Sequence, residues 1–339
     1  MLWGLLALFA VVVVVVAGTF YWAEQQISPG GHPGASVKVT IPKGASTAQI
    51  GHLLASAGVI HSPTVFQYYV KIEGDGPFYP GSYQLRKNSS YRSVISVIDQ
   101  PPAIVTDRLT IPEGYTMAQI AKAVAALPNM HLSADKFLQA ASSGEVRSPY
   151  EPAGINSLEG LVFPATYQVH QGETEVDVLE TMVAAFDEQA GAIGLTPTTT
   201  VSGLSAYQVV TVASIVEREV KLAGDRAPTA SVIYNRLKIG MPLGADSTQT
   251  YYLRLTDPTL VPTVAQLDTA GPYNTRQNKG LPPTPIANPG LPSLQAALNP
   301  ASTTYLYFVE VQPNGQLGFA STADGFAQLQ AQCRAAKLC

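Results

Sequence analysis

One carboxyl in this chain stands apart because of its surroundings. Ser205–Lys221 reads SAYQVVTVASIVEREVK, with the spacing of a single helix. Glu217 lies near its C-terminal end. Ala213 and Ser214 sit at i−4 and i−3 from it, and Val210 and Val209 at i−7 and i−8. That face is small and apolar, the kind a globular helix turns inward. Arg218 and Glu219 fall on other faces. A carboxyl buried among apolar groups keeps its proton to higher pH, which suits a general acid. The plainer alternative is a surface i,i+4 pair between Glu217 and Lys221. Glu219 is expected to be a solvated or structural charge.

Other short polar residues of the second half suit a ligand cleft. Asn235 and Arg236 end a helical stretch, Thr229–Leu237. Asp246, Ser247, Thr248 and Gln249 lie on a glycine-broken loop, Ile239–Tyr252, and Tyr273 and Asn274 open another. Short polar groups on loops line ligand sites. Arg236 could pair with a carboxylate, and Tyr273 and Asn274 could face a bound ligand. Glu159 could orient a donor or form a structural ion pair. Each has a plain alternative in loop architecture, because Asn and Asp cap turns routinely. The proline-rich Leu281–Pro289 is expected to be scaffold.

Several chemistries are excluded. The last of five histidines is His170, so no Ser-His-Asp, Cys-His or histidine metal cluster can form within the second half alone. No CxxC zinc pattern occurs, and no metal site is expected. The net charge is −4, with no basic run and no phosphate loop, so nucleic acid is not an expected partner. The only two cysteines are Cys333 and Cys339. They are either idle thiols on a frayed tail or, in an oxidising compartment, a disulfide closing a very short loop.

The positioning elements follow in order. Leu2–Trp22 carries no charge and holds six consecutive valines. A helix of that length spans about 31 Å, enough for a bilayer core, with Tyr21 and Trp22 at its far end. A cleaved signal peptide competes, but the run is long and lacks a basic start. Residues 1–22 are therefore expected to be a membrane anchor and 23–36 a Gly/Pro-rich linker, with the working part after them. Val39–Ile50 (VTIPKGASTAQI) and Leu109–Ile120 (LTIPEGYTMAQI) then match at a constant offset of 70, which marks an internal repeat. In each copy a strand ends in Pro-x-Gly, and Ser46 or Thr116 caps a helix. These βα units resemble LysM modules, which bind N-acetylglucosamine-containing glycans. They are placed at residues 37–104, with a helical insert, and 105–150.

VASIVERE, YNRL–IGMPL–DST, YNT and GLPPTPIANPG, preceded by LEGLVFPATY, occur in that order. This series resembles the MltG (YceG-like) endolytic murein transglycosylases over about Val37 to Phe326. Leu161-Val162 and Gly244-Ala245 depart from the family pattern. The resemblance implies an α+β chain with a mixed α/β catalytic domain at 156–330 and a tail at 331–339. It implies cleavage of the MurNAc-GlcNAc bond in peptidoglycan glycan strands with closure of a 1,6-anhydro ring, which would end the elongation of nascent strands. Glu217 would be the catalytic acid. With such a substrate, Asn235, Asp246, Ser247, Thr248 and Gln249 could line a saccharide cleft, Glu159 could hold a sugar hydroxyl, and Tyr273 and Asn274 could pack on a sugar face and bind its N-acetyl group. No cofactor is implied. The implied setting is the cytoplasmic membrane, single-pass, with the catalytic part outside and peptidoglycan synthases as partners. A binding or scaffold protein without turnover and a lysozyme-like hydrolase are the alternatives.

Overall fold

The structure, a computed structural model, describes residues 2–102 and 105–339. It has two compact units, Met1–Ile104 and Val105–Cys339. The first begins with helix α1 (Leu2–Ile27). Within it Leu8–Ile27, with mean hydropathy 1.6, is long and apolar enough to cross a membrane. Strand β1 (Ser36–Ile41), helices α2 (Thr47–Ser56) and α3 (Pro63–Glu73), strand β2 (Gly81–Arg86) and helix α4 (Tyr91–Ile98) follow. β1 and β2 pair antiparallel. Alternation along them sends Val39, Ile41, Tyr83 and Leu85 into one core with Ile50, Leu54, Phe66 and Ile98.

The second unit repeats this plan. Strand β3 (Thr106–Thr110), helices α5 (Met117–Ala125) and α6 (Ala134–Ser143), strand β4 (Thr166–His170) and helix α7 (Glu175–Ala192) form the same β-α-α-β-α series, and β3 pairs antiparallel with β4. The details recur. Ser46 with Gln49, and Thr116 with Gln119, close reciprocal capping boxes on α2 and α5. Thr40 bonds Ser82 across the first ribbon at 2.9 Å, and Thr110 bonds Thr166 across the second at 3.0 Å. Gly74 and Gly144 end α3 and α6 in the left-handed conformation.

The repeat is thus longer than the matching dodecamers. Ser82-Tyr83-Gln84-Leu85 corresponds to Thr166-Tyr167-Gln168-Val169 at an offset of 84. Extra residues between α6 and β4 carry Glu159 and change the offset. A module ending at residue 150 omits its own second strand. The stretch opening at Asn156, expected to start a separate domain, instead closes the second repeat, whose apolar residues share one core with the rest of the unit.

The remaining elements are the short ribbon β5 (Thr200–Val201) and β6 (Leu204–Ser205), α8 (Ala206–Glu219), α9 (Ala223–Lys238), α10 (Asp246–Arg254), α11 (Val264–Leu267), α12 (Leu291–Leu298), the hairpin β7 (Tyr307–Glu310) and β8 (Leu317–Ala320), and α13 (Ala323–Ala335). The helix expected at Thr229–Leu237 begins earlier, and part of the expected loop Ile239–Tyr252 is helical. α9 starts at Ala223 and contains Pro228. Asp246–Gln249 is the first turn of α10, whose N-cap, Ala245, has no side chain able to cap it; the cap comes from a distant glutamate. At the C-terminus Cys333 and Cys339 form a disulfide, so this end is not a frayed tail with free thiols.

Candidate active site

Helix α8 is the centre of the second unit. Ser205 and Gln208 cap its start reciprocally. Every residue from Val209 to Val216 is buried, so the helix is enclosed on all sides rather than along one stripe. Glu217 is the first residue to emerge. It is half-buried, which corrects the expectation of a carboxyl turned wholly inward. Lys221 pairs with Glu310 at 3.2 Å, outside the helix, and not with Glu217.

Two donors from the start of α12 hold the Glu217 carboxylate. Oε2 accepts the Ser293 hydroxyl at 2.7 Å and the Gly290 amide at 3.2 Å. Ser293 is fully buried and accepts from Arg226 Nε at 3.2 Å. A guanidinium on α9 thus acts through a hydroxyl on α12 upon a carboxylate on α8. The positive end of α12 faces the same carboxylate.

A second carboxyl reaches this place. The Pro-x-Gly turn of the second repeat, Pro112-Glu113-Gly114, lies against the end of α8. The Gly114 amide donates to the Asn288 carbonyl at 2.9 Å and the Asn288 amide to the Tyr115 carbonyl at 2.8 Å. Arg218 donates to the Gly114 carbonyl at 3.3 Å. Gly114 has φ +77°, and a Cβ there would stand 3.5 Å from Glu217 Cγ. The Glu113 carboxyl occupies the space a side chain on Gly290 would need: a Cβ at Gly290 would fall 2.0 Å from Glu113 Oε1. Burial raises the Glu113 pKa, the charge of Glu217 raises it further, and Arg226 opposes both.

Glu159 lies behind this turn. It is buried and accepts from the Met117 amide, the first of α5, at 3.1 Å, from Tyr251 Oη at 3.1 Å and from Asn288 Nδ2 at 3.2 Å. It therefore caps a helix and fixes Asn288 rather than forming an ion pair. Burial pushes its pKa up to about 7, against the pull of those donors. Glu219 likewise caps α10 through the Ser247 amide at 3.3 Å, and burial raises its pKa.

Most of the other expected cleft residues bond within the protein, although Ser247 Oγ and Gln249 Oε1 are buried without a hydrogen-bond partner. Asn235 Nδ2 bridges the carbonyls of Thr303 and Tyr305 at 3.0 and 2.9 Å. Arg236 donates to Leu306, Pro242 and Leu243 carbonyls and lies over the Tyr307 ring. Asp246 forms a two-point pair with Arg276, at 2.6 and 2.8 Å. Thr248 and Gln249 are buried; Thr248 bonds the Ala245 carbonyl and Gln249 the Thr269 carbonyl. Asn274 is buried and donates to the Leu267 and Thr269 carbonyls. Tyr273 is half-buried, bonds Thr284 and stacks on Tyr252. Of the expected residues, Glu217 lies in the Glu113–Ser293 cluster and Glu159 reaches it through Asn288. Glu113, Arg226, Asn288, Gly290 and Ser293 were not expected there. For Glu113 a signal existed: within the matching dodecamers it stands opposite Lys43, a reversal of charge. For Ser293 and Gly290, flanking a proline-rich stretch, no local pattern marks the role. Among the described residues no group of side chains is arranged to hold a metal ion.

Known proteins resemble this chain over nearly its whole length. A family model described as the YceG-like family matches residues 39–332. A Bacillus subtilis protein named endolytic murein transglycosylase is 31% identical over 328 residues, 91% of this chain and 88% of that protein. A protein of the same name from Streptococcus pneumoniae (D39) is 30% identical over 313 residues, 85% of this chain but 56% of its own length. The crystal structure of a YceG-like protein from Listeria monocytogenes superposes with a TM-score of 0.58 at 30% identity, covering 87% of this chain and 99% of that one. With its capped central helix, its half-buried Glu217 and these relatives, the chain belongs to the YceG-like family.

Proposed function

We propose that this chain is an endolytic murein transglycosylase and that Glu217 carries the reaction. The observation that supports this most is the Glu217 carboxyl itself. It is fixed at Oε2 by Ser293 and Gly290 and emerges from an otherwise enclosed helix. A protonated Glu217 gives its proton to the oxygen joining MurNAc to GlcNAc. The C1–O bond breaks through an oxocarbenium-like state. The carboxylate then takes the proton of the muramoyl 6-hydroxyl as that oxygen bonds C1, closing the 1,6-anhydro ring. Proton and electron pairs balance without water or cofactor, and Glu217 returns to its first state.

The setting extends this reading. α1 serves as a single-pass anchor with the second unit outside the cytoplasmic membrane, where the Cys333–Cys339 disulfide suits an oxidising compartment. The two β-α-α-β ribbons support glycan-binding, LysM-like modules. Peptidoglycan synthases are natural partners for an enzyme that cuts nascent strands.

The test is digestion of purified peptidoglycan by the wild type and by Glu217→Gln. The wild type is expected to release products ending in anhydro-muramic acid, and the variant none. Wild-type rates from the variant would remove Glu217 from the mechanism. The nearby Glu113 gives a hydrolytic reading some footing, because hydrolases use two carboxyls. Products heavier by one water, with reducing ends, would decide for hydrolysis.

A further inference from the structure

Resting on the reading of α1 as a membrane anchor, we propose that helix α3 lies on the lipid surface beside that anchor, with Tyr68 and Ile72 set into the headgroup layer of the same membrane.

The face of α3 is the first argument. Phe66 and Val70 are buried in the core of the first unit, and Val65 and Tyr69 pack against that core partly buried. Tyr68 and Ile72, at i and i+4, continue this apolar face around the helix. Both are left bare, Tyr68 at 63% exposure and Ile72 at 80%. The apolar stripe is therefore wider than the core it serves. Lys71 and Glu73, both exposed, border it on either side.

The second repeat supplies a comparison. Its helix α6 is the counterpart of α3. Each has a serine N-cap, Ser62 or Ser133, four residues before a fully buried phenylalanine, Phe66 or Phe137. Counted from those caps, Tyr68 corresponds to Gln139, Ile72 to Ser143 and Val65 to Lys136. Gln139 and Ser143 are exposed as well. The β-α-α-β plan thus has no need of apolar groups at these places. They occur in the copy whose chain leads out of α1.

The neighbour of α3 is the third argument. α1 packs against α3, and Ile27 at the end of α1 joins Val65 and Tyr69 on the same core. Tyr21 and Trp22 are the aromatic pair suited to the membrane boundary. Ile27 follows Trp22 by five residues, about 8 Å along a helix. A headgroup layer is about 5–7 Å deep. α3 therefore stands at headgroup depth. A tyrosine, apolar in its ring and polar at its tip, suits that layer, and Ile72 adds apolar area beside it. The anchor already holds this helix at the bilayer, so lipid covers the stripe without a further partner.

The experiment places a fluorophore at single cysteines of the full chain in vesicles of phosphatidylethanolamine and phosphatidylglycerol. The native Cys333 and Cys339 are spent in their disulfide. The variants are Tyr68→Cys and Ile72→Cys, with Gln67→Cys on another side of α3 as the aqueous reference and Val14→Cys within α1. Tyr68 and Ile72 are exposed, so their replacement removes no core group. Spin-labelled lipids carry the quencher either just below the headgroup or deep in the acyl chain. The labels on Tyr68→Cys and Ile72→Cys are expected to shift their emission to the blue and to lose most of it to the shallow quencher. The Gln67→Cys label should keep its emission, and the Val14→Cys label should lose it to the deep quencher. With Val14→Cys quenched, labels on Tyr68→Cys and Ile72→Cys that behave like the reference overturn the inference. Blue-shifted emission there without quenching overturns it too, and assigns the stripe to a protein partner or a second copy. An unquenched Val14→Cys label fails the anchor reading, and the inference with it.

Discussion

The buried Ser293 hydroxyl donates to Glu217 Oε2 at 2.7 Å while accepting from Arg226 Nε at 3.2 Å. It therefore fixes which way the carboxyl of Glu217 points. The start of α12 becomes part of the site, although no residue of α12 is itself acidic or basic.

Ser293→Ala is expected to lower kcat about ten- to a hundredfold with little change in KM. The variant loses a hydrogen bond to a charged group, and a misplaced catalytic group costs up to about a hundredfold. It leaves the Arg226 guanidinium without this acceptor, so the melting temperature should also fall slightly. Steady-state kinetics on purified glycan strands check this; an unchanged kcat would mean that Gly290 alone holds the carboxyl.

The sequence disclosed the anchor-length helix, the repeat and α8 because each is written locally: an unbroken apolar run, a duplicated turn with its capping residues, a helix of small apolar residues. The extent of the repeat was hidden by the extra residues before β4, which displace Thr166–Val169 from the register set by Leu109–Ile120. The site was legible at Glu217, whose motif is contiguous. Glu113 lies 104 positions before it and Ser293 76 positions after it. Tertiary packing brings them together, and no periodicity encodes that. The polar residues expected to line a cleft failed for a related reason. Asn235, Thr248, Gln249 and Asn274 have the composition of a binding loop, yet their donors close carbonyls that the loops would otherwise leave unpaired.

Glu159 should make the second unit less stable as pH rises. Its folded pKa is about 7, raised by burial from 4.5. Between those values the folded protein holds more protons than the unfolded chain. Stability therefore falls with pH from about 4.5 to about 7 and levels off above. The full effect is at most about 3 kcal/mol. Glu159→Gln, which cannot ionise, should flatten the fall. Urea unfolding of both proteins at pH 5 and pH 8 measures it. Equal losses in the two would show that other buried acids, such as Glu219, carry the dependence.

Asn235 separates a structural role from a substrate role. Its amide bridges the Thr303 and Tyr305 carbonyls and so ties α9 to the chain entering β7. Removing it leaves two backbone acceptors without their partner, which costs about 1–3 kcal/mol. Asn235→Ala should thus lower the unfolding midpoint while leaving KM for glycan strands unchanged at a temperature where the variant is folded. A sugar-binding asparagine would give the reverse, a raised KM with an unchanged midpoint. That result would mean that glycan draws Asn235 away from these carbonyls and that the loop before β7 opens when substrate binds.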